Sequence, residues 1–318
     1  MDNIIVTGGC GFIGSEFVRL FHKKYKIHVV DSLTYAGNKS NIKECDVKLY
    51  ENDIRDINSM EKIFEEVKPK YVINFAAESH VDNSIINDLP FIETNVYGVG
   101  ILLQLSKKYK IDRFHHVSTD EVYGQIKEGS FKETDKFNPR NPYSASKASA
   151  EHLVQSYYIT HGLNIAISRG SNTFGPRQYP EKLIPVSLNK LFNKEKIPVY
   201  GQGLQIRDWL YVSDHAKGIE HILLNGKAGE AYNISGNKEI KNIELVKILI
   251  QNVNKQFKLG LSEKENIKFV DDRPGHDFRY SLNDKKIKEI GFKLSFSFDQ
   301  QMEKTIKWYF ENKDFLRK

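Results

Sequence analysis

The sequence contains little cysteine and no long hydrophobic run, and each absence excludes a class of protein. Cysteine occurs only twice in 318 residues, which is too few for a disulfide framework or a metal cluster. The most apolar stretches, such as residues 71–77, are far shorter than the roughly 18 residues of a membrane-spanning helix. The chain also begins without the basic segment and apolar core of a signal peptide. We therefore expect a cytoplasmic protein with no metal site and no membrane partner.

Charged residues of both signs are plentiful, and their balance is weakly positive. Lysine and arginine number 47 against 41 acidic residues, which gives a formal net charge of +6. Such an excess suits nucleic acid, an acidic membrane surface or a phosphorylated small molecule, and composition alone does not choose among them. Because the sequence has no basic run interleaved with aromatic residues, we expect no nucleic-acid partner.

Short apolar runs alternate with longer amphipathic segments in the first half of the chain. The runs predict strands at residues 4–6, 28–30, 48–50, 71–75, 114–117 and 165–168. The segments between them predict helices at residues 14–24, 58–67, 91–109 and 144–160. This alternation is typical of an α/β protein with a doubly wound parallel sheet. Ligands of such a sheet bind beyond the carboxyl ends of its strands, so functional residues should follow the apolar runs.

The second half of the chain has shorter elements and more proline and glycine. It predicts a strand at residues 231–234 and helices at residues 242–254 and 299–310. We expect a smaller α+β lobe that packs on the sheet and binds the substrate. The predicted division gives residues 1–170, with a return segment near 205–225, to the first domain and residues 171–318 to the second.

A glycine-rich loop follows the first predicted strand and opens the first predicted helix. It consists of Gly8, Gly11, Phe12, Ile13 and Gly14, with Cys10 also inside it. The missing side chains permit a tight turn and the close approach of a pyrophosphate to the helix N-terminus. Asp31 ends the second strand, where a carboxylate accepts hydrogen bonds from a ribose and repels a 2′-phosphate. The loop and the acid predict a Rossmann-type domain that binds NAD rather than NADP.

Further candidate residues follow the third and fourth predicted strands, at the same edge of the sheet. The residues expected to line the cofactor there are Asp53, Ile54, Ala76 and Ala77. Ser79 and His80 follow Ala77 after one residue, Glu78, and are expected on the substrate side.

Tyr143 and Lys147 lie four residues apart in a predicted helix, and hence on one face of it. A lysine ammonium beside a phenol stabilises the phenolate and so lowers the pKa of the tyrosine. The phenolate can then act as a base on an alcohol that loses a hydride. Both residues should therefore contact the cofactor as well as the substrate.

Thr119, Asp120 and Glu121 follow the fifth predicted strand and should face the nicotinamide end of the cleft. Thr119 can hydrogen-bond the same substrate oxygen as Tyr143. Two adjacent carboxyl groups exceed the needs of simple alcohol oxidation. They suit an elimination, in which one group removes a proton from carbon and the other protonates a leaving hydroxyl.

Eight segments carry a resemblance to a known family. They are residues 7–15, 31–38, 76–82, 118–124, 143–148, 180–185, 207–212 and 272–277. On these segments the chain resembles the extended short-chain dehydrogenase/reductase family and, within it, the dTDP-glucose 4,6-dehydratases. The glycine loop and the Tyr–Lys pair mark the superfamily, whereas the Asp-Glu pair and the last three segments are much more specific.

The resemblance implies a three-step reaction with recycled NAD. Tyr143, assisted by Thr119 and Lys147, would take the C4 hydroxyl proton while a hydride passes from C4 to NAD. The new ketone acidifies C5, so that Glu121 can remove the C5 proton while Asp120 protonates the departing C6 hydroxyl. Return of the hydride to C6 would give the 4-keto-6-deoxy sugar.

The resemblance also implies a pocket for the nucleotide and its diphosphate. Arg207 and Arg273 would supply cationic forks for the phosphates. The complete set that the resemblance places there is Asn172, Lys182, Leu183, Pro198, Tyr200, Arg207, Asn242, Arg273 and His276.

Several alternatives stay open at this point. UDP-glucose differs from dTDP-glucose in its base by one methyl group, worth about 1 kcal/mol in a pocket. A 4-epimerase or a decarboxylase of the same superfamily would have no use for both carboxyl groups, and a non-catalytic NAD-sensing or RNA-binding module commonly loses the Tyr–Lys pair. By analogy with relatives that pair through the helices predicted at residues 91–109 and 144–160, we expect a homodimer.

Overall fold

A parallel sheet forms the centre of the molecule, which a computed structural model describes over residues 1–272, 276–295 and 297–317. In chain order, the strands of these residues are β1 (Asn3–Thr7), β2 (Lys26–Asp31), β3 (Lys48–Glu51), β4 (Tyr71–Asn74), β5 (Arg113–Thr119), β6 (Ile165–Gly170), β7 (Asn172–Phe174), β8 (Ile197–Tyr200), β9 (Ile206–Tyr211), β10 (Glu230–Ile234), β11 (Glu239–Lys241) and β12 (Ile267–Val270). The helices are α1 (Phe12–Phe21), α2 (Ile57–Val67), α3 (Val81–Ile86), α4 (Leu89–Ile92), α5 (Val99–Lys108), α6 (Pro142–His161), α7 (Leu183–Phe192), α8 (Val212–Asn225), α9 (Asn242–Phe257), α10 (Glu263–Asn266), α11 (Lys285–Glu289) and α12 (Phe298–Glu311).

The large sheet has seven strands in the order β10-β6-β5-β4-β1-β2-β3, and every neighbouring pair is parallel. Its central strands are buried on both faces. Ile4 and Val6 of β1 face a core shared with α1 and α8, whereas Ile5 faces a core shared with α2 and α5. Strands of this kind appear in a sequence as continuous apolar runs, which is why short runs predicted them. The Rossmann-type doubly wound fold is therefore confirmed.

The ends of helix α6 are set by its own sequence. The Ser144 amide donates to the side chain of Asn141 at the N-cap, and Pro142 stands in the first turn, where a missing N–H costs nothing. Gly162 ends the helix in the left-handed conformation, with φ of 66°. Buried Ala150 packs the helix on the sheet. The helix extends two residues beyond the predicted start and one beyond the predicted end.

The helix predicted at residues 91–109 is interrupted. Residues Glu93–Gly98 form a π-helical turn between α4 and α5. Within it, the buried Asn95 side chain accepts a hydrogen bond from the Glu78 amide at 2.9 Å and donates one to Ser146 Oγ at 2.8 Å. The wider turn therefore lets one side chain join the segment after β4 to helix α6, a use typical of π-helical turns at functional sites.

Two small sheets and the helices that cover them form the second lobe. Strand β9 pairs with β7 in parallel and with β11 antiparallel, and β8 pairs with β12. Apolar side chains of α7, α9 and α12 cover these strands, with Leu188, Leu249 and Ile306 buried among them. The chain returns to the large sheet through α8, which packs on α1, and through β10 at the sheet edge. This return is longer than the predicted segment near 205–225, and the division into two domains stays a prediction.

Among residues 1–272, 276–295 and 297–317, no helix combines the length and the apolar character needed to cross a membrane. The same residues bring no three histidine, cysteine, aspartate or glutamate side chains together in a geometry that could hold a metal ion. The cytoplasmic location stays a prediction.

Candidate active site

A cavity of about 360 Å³ opens at the carboxyl edge of the large sheet. Every residue predicted to contact the cofactor lines it, namely Gly8, Gly11, Phe12, Ile13, Gly14, Asp31, Asp53, Ile54, Ala76, Ala77, Tyr143 and Lys147. The same cavity is lined by the remaining predicted catalytic residues, Thr119, Asp120 and Glu121. The fold thus brings both sets into one space, because the ends of parallel strands share one edge of the sheet. Their roles stay predictions.

Two glycines of the loop occupy positions where a side chain would collide with the backbone. Gly8 has φ of +68°, and a Cβ there would lie 2.6 Å from the Ala76 amide nitrogen. A Cβ on Gly14 would lie 2.3 Å from the carbonyl oxygen of Gly8. Helix α1 begins after Gly11 without a side-chain cap and has no acidic residue in its first turn. Its amides and the positive end of its dipole therefore fit the pyrophosphate of a dinucleotide.

Asp31 lies where a ribose of the dinucleotide would be recognised. Its Oδ2 accepts a hydrogen bond from the Cys10 amide and its Oδ1 accepts one from the Leu33 amide, both at 2.8 Å. Burial raises the pKa of Asp31, and these two hydrogen bonds oppose the rise. Each carboxylate oxygen can accept a second hydrogen bond, so hydroxyl donors of a ribose fit this position.

Lys147 and Tyr143 lie on the face of α6 that closes the cavity, where Lys147 is buried and Tyr143 is half-buried. The Lys147 ammonium donates to the Val117 carbonyl oxygen at 2.7 Å. Burial lowers the pKa of Lys147 to about 8, against the opposing effect of Glu151. Burial also raises the pKa of Tyr143, with a further rise from the charge of Glu121 and a decrease from its hydrogen bond with Thr119. The pKa of Tyr143 is therefore raised, whereas the Tyr–Lys spacing predicted that it would be lowered.

Asp120 and Glu121 belong to a short 3₁₀ turn, Asp120–Tyr123, that Thr119 caps by accepting the Glu121 amide at 3.3 Å. Burial, and then the neighbouring charge of Glu121, raise the pKa of Asp120 to about 8. Asp120 is therefore protonated at neutral pH and can donate a proton. Glu121 is partly exposed to the cavity, and its Oε2 accepts a hydrogen bond from Asn141 Nδ2 at 3.1 Å. The turn thus offers a proton donor beside a second carboxyl group in a different environment.

Three of the predicted substrate residues line the cavity: Ser79, Asn172 and Lys182. The Lys182 ammonium lies 3.2 Å from the Ser79 carbonyl oxygen and 3.1 Å from Glu181 Oε1. His80 stands just outside, where its Nδ1 accepts the Asn83 amide and its Nε2 is 3.6 Å from Glu181 Oε2. Glu181 therefore connects the two lobes at this end of the cavity.

A second group of predicted substrate residues gathers in the small lobe, away from the cavity wall. The Tyr200 and His276 rings meet edge to face with centroids 6.2 Å apart, and His276 Nδ1 lies 2.6 Å from Asp272 Oδ1. Gln205 joins the group by donating to Asp272 and by accepting the Asn242 amide. Pro198 precedes Tyr200 in β8, Leu183 opens α7 and packs on the lobe's core, and Arg273 lies outside the described residues.

Arg207 has partners within the protein. It is only 5% exposed, and its guanidinium donates to the carbonyl oxygens of Ile206 at 2.8 Å and Asp277 at 2.9 Å. The same group lies over the Tyr280 ring, 4.4 Å from its centroid. The positive charge of Arg207 opposes the rise of the Asp120 pKa. Asp120 belongs to the turn Asp120–Tyr123, which we call the catalytic turn after its predicted role. The predicted contact of Arg207 with a diphosphate stays a prediction.

Sequence reasoning missed several residues that line the cavity. Tyr179 lines the cavity and meets Tyr35 edge to face, with ring centroids 5.3 Å apart, so that it joins the loop after β2 to the small lobe. His215 of α8 lies under Gly170, where a Cβ would come within 2.4 Å of the imidazole. Tyr35 stands inside a segment that the family resemblance included, so that signal was available. No local spacing identifies Tyr179 or His215, because long-range packing brings them to the cavity.

The fold, the glycine loop and the Tyr–Lys pair at one sheet edge are those of an extended short-chain dehydrogenase/reductase. Within that class, the sequence profile described as GDP-mannose 4,6 dehydratase matches residues 5–305. The chain therefore belongs to this dehydratase family, and the resemblance stated from its motifs is confirmed.

Individual relatives agree with the family. The dTDP-glucose 4,6-dehydratase of Haemophilus influenzae is 43% identical, over 98% of this chain and 99% of its own. The crystal structure of DesIV, a dTDP-glucose 4,6-dehydratase from Streptomyces venezuelae with NAD bound, matches with a TM-score of 0.93 and 41% identity over 98% of both chains. A UDP-glucose 4-epimerase from Thermotoga maritima shares the fold at a TM-score of 0.90 but is 29% identical, over 98% of this chain and 99% of its own.

Proposed function

We propose that this protein is a dTDP-glucose 4,6-dehydratase that uses NAD as a recycled cofactor and releases the 4-keto-6-deoxy sugar. The observation that carries the proposal is the pair of adjacent carboxyl groups, Asp120 and Glu121, in one cavity with Tyr143 and Lys147. A 4-epimerase or decarboxylase has no use for both groups. A non-catalytic NAD-sensing or RNA-binding module would need neither the pair nor the Tyr–Lys constellation.

The first step is the oxidation of C4. NAD, held along the glycine loop, supplies the acceptor for the C4 hydride and later the hydride for C6. Tyr143 takes the proton of the C4 hydroxyl. The Thr119 side chain hydrogen-bonds the Tyr143 hydroxyl group during this transfer. The proposal assigns to the Lys147 ammonium, one helical turn from Tyr143 in α6, the positive charge that stabilises the phenolate.

The second step is the loss of water across C5 and C6. The C4 ketone makes the C5 proton acidic, because the carbanion formed is an enolate. Glu121 removes that proton, and Asp120, which is protonated at neutral pH, delivers its own proton to the departing C6 hydroxyl. Transfer of the hydride to C6 and protonation of C5 then complete the product without net redox change.

Thymine is the preferred base, since relatives named for dTDP-glucose share 41% to 43% identity with this chain while the UDP-glucose epimerase shares 29%. The group around Tyr200 and His276 is the proposed site of the nucleotide. An edge-to-face aromatic pair with a hydrogen-bonded imidazole suits a planar base with polar edges. Lys182, at the boundary between the lobes, is the proposed contact of the diphosphate.

Incubation with dTDP-glucose and, in parallel, with UDP-glucose in deuterated water tests the reaction. We expect faster turnover of dTDP-glucose, one solvent deuterium at C5 and internal transfer of the C4 hydrogen to C6, as read by NMR. Failure to form a 4-keto-6-deoxy product from either nucleotide sugar would overturn the proposal. Product inverted at C4 would support the epimerase instead.

The homodimer is proposed from exposed apolar side chains on the helices at one side of the large sheet. Ile86 of α3 is 84% exposed, Tyr97 of the π-helical turn 60% and Ile159 of α6 74%. Water-exposed apolar groups on neighbouring helices favour burial against a second copy of the same surface.

A further inference from the structure

We infer that Asn141 is a positioning residue for the elimination, because its side-chain amide joins the Glu121 carboxylate to the first turn of helix α6. The inference rests on the proposed function. It concerns a residue outside the Tyr143, Lys147, Thr119, Asp120 and Glu121 set, and it assigns the residue to one step of the reaction.

The two ends of the Asn141 side chain have different partners. Its Oδ1 accepts the Ser144 amide at 2.8 Å, and its Nδ2 donates to Glu121 Oε2 at 3.1 Å. The orientation of the amide follows from these contacts, since a flipped amide would present N–H to an N–H and an oxygen to a carboxylate. Ser144 Oγ in turn lies 3.2 Å from the Asn141 amide nitrogen and completes a capping box. Asn141 therefore cannot release Glu121 without also reorganising the helix N-terminus.

The loop before α6 is held against the catalytic turn on both sides. The Asn138 amide donates to the Val122 carbonyl oxygen at 3.0 Å. Gly124, with φ of +76°, allows a close approach, because a Cβ there would lie 2.3 Å from the Asn138 carbonyl oxygen. On the other side, Arg140 Nη1 lies 3.0 Å from Asp277 Oδ1, in a segment of the small lobe. The distance between Asn141 and Glu121 is thus set by packing rather than by one flexible contact.

The uncharged side-chain amide of Asn141 is a suitable hydrogen-bond donor to Glu121, because Glu121 must act as a base. Glu121 is faced by Asp120 from its own turn, by Tyr143 from α6 and by Tyr280 from the segment after residue 276, and the Arg207 guanidinium lies against that Tyr280 ring. The N–H of Asn141 stabilises the ionised form of Glu121 and orients one oxygen, so that the carboxyl plane is set before substrate arrives. A serine at position 141 would keep the cap but could not span the distance to Glu121.

The test compares Asn141→Ser, which retains a good N-cap, with Asn141→Ala, which loses both contacts, and with Asn141→Asp, which replaces the donor by a like charge. In single-turnover reactions we expect Asn141→Ser to oxidise C4 at the wild-type rate, read from the reduced nicotinamide absorbance. Its elimination, read from deuterium uptake at C5, should slow by about 10- to 100-fold, the loss typical of one hydrogen bond to a charged group. In Asn141→Asp the added negative charge disfavours the ionised form of Glu121. The decrease of the elimination rate at acidic pH should therefore begin at a higher pH than in the wild-type protein.

A matched control is available at Ser297, which caps α12 with the same kind of capping box far from the cavity. Ser297→Ala should lower the melting temperature as Asn141→Ala does and leave both steps unchanged. Equal slowing of both steps in Asn141→Ser, or an unchanged elimination, would overturn the inference.

A second readout separates this inference from the proposed function. The pKa of Glu121, followed by ¹³C NMR with Glu121→Gln for assignment, should rise in Asn141→Ser because a donor to the ionised form is lost. An unchanged pKa contradicts the inference whether or not the enzyme turns over dTDP-glucose. Absence of product from the wild-type protein, together with a raised pKa in Asn141→Ser, contradicts the proposed function alone.

Discussion

At the scale of single residues, the two carboxyl groups of the catalytic turn differ in their surroundings. Asp120 is 3% exposed, its Oδ1 accepts the Thr119 hydroxyl at 3.2 Å, and its Oδ2 has no hydrogen-bond partner among the described residues. Burying an ionised carboxylate with so few donors is unfavourable, so Asp120 keeps its proton. Glu121 faces the cavity and a side-chain amide donor. Adjacent residues of the same chemistry are thereby suited to donate and to accept a proton.

The raised pKa of Asp120 predicts that the rate of elimination decreases at basic pH. Asp120 is protonated below about pH 8 and ionises above it, so elimination should slow as pH rises through that value. Asp120→Asn should slow elimination by roughly 10²-fold or more, the usual contribution of general acid catalysis. Deuterium uptake at C5, measured across the pH range, checks both expectations.

Burial lowers the pKa of Lys147 to about 8 as well, but in the proposed mechanism the charge of Lys147 acts on the oxidation of C4. Asp120→Asn should therefore retain the basic limb of C4 oxidation while losing elimination. The Asp120→Asn variant should also stay folded, because the asparagine side chain is uncharged and its burial therefore carries no cost of burying a charge. Loss of both steps to the same extent would contradict the separate roles.

A substitution at Gly14 tests whether the cofactor loop needs a residue without a side chain. Gly14→Ala would place a Cβ 2.3 Å from the Gly8 carbonyl oxygen, so the backbone of the loop must move. We expect a loss of about 1–3 kcal/mol of stability, as for other overpacked sites, and weaker NAD binding by titration calorimetry.

Gly100 in α5 is the matched control, because a Cβ there meets only Leu153 Cδ2, at 3.5 Å. Gly100→Ala should stabilise the protein by about 0.4–1 kcal/mol through the unfolded chain and leave NAD binding unchanged. Equal NAD affinity in both variants would argue against pyrophosphate binding at the loop.

At the scale of secondary structure, a buried ion pair joins β6, α6 and the catalytic turn. Arg169 donates to Glu151 at 2.7 Å through Nη2, and both side chains are almost fully buried. The same guanidinium contacts the Tyr123 hydroxyl and donates to the Glu133 carbonyl oxygen at 3.0 Å. Glu151 is one helical turn beyond Lys147. The pair therefore connects the helix that carries Lys147 with the turn that carries Asp120.

Because both charges are buried, removing one partner of this ion pair should destabilise the protein more than removing both. Arg169→Met should destabilise the protein by about 3–5 kcal/mol, because it leaves the Glu151 carboxylate buried without its partner. The double variant Arg169→Met with Glu151→Met should recover part of that loss, since neither charge then remains buried. The free energy of unfolding in urea measures both. A double variant as unstable as the sum of the two single variants would show that the residues act independently.

At the scale of the whole molecule, the cavity lies between two lobes that contact each other across it. Tyr35 of the large lobe and Tyr179 of the small lobe meet edge to face, and Lys182 and Glu181 reach from the small lobe toward Ser79 and His80. Each lobe alone would present an open groove. The return of the chain through α8 and β10 holds them in one arrangement.

The exposed apolar surface around Ile86 and Tyr97 predicts a homodimer, and charged substitutions there should dissociate it. Ile86→Lys combined with Tyr97→Lys should convert a dimer into a monomer, because two desolvated charges per copy oppose burial of the surface. Analytical ultracentrifugation measures the mass in solution. Leu224→Lys, at another exposed apolar residue in α8, should leave the mass unchanged. A wild-type protein that sediments as a monomer would contradict the prediction.

The sequence predicted the sheet and its helices well, because strands buried on both faces and helices with capped ends leave local patterns. It predicted one continuous helix at residues 91–109, since an apolar periodicity does not distinguish an α-helix from a short π-helical turn. Every residue that it assigned to the cofactor lines the cavity, and the contact of each with NAD stays a prediction. The sequence did not identify Asn141 as a partner of Glu121, because that contact depends on how the loop before α6 packs.

Local residue patterns are enough to establish which chemistry is available: a glycine loop for a dinucleotide, a Tyr–Lys pair on one helix face and two adjacent carboxyl groups. Each of these depends on residues a few positions apart, and short spacings are visible in any chain. The tertiary structure decided which carboxyl group holds a proton, which partners Arg207 contacts and which side chain positions Glu121. Those properties depend on burial and on contacts between residues far apart in sequence, and only packing creates them.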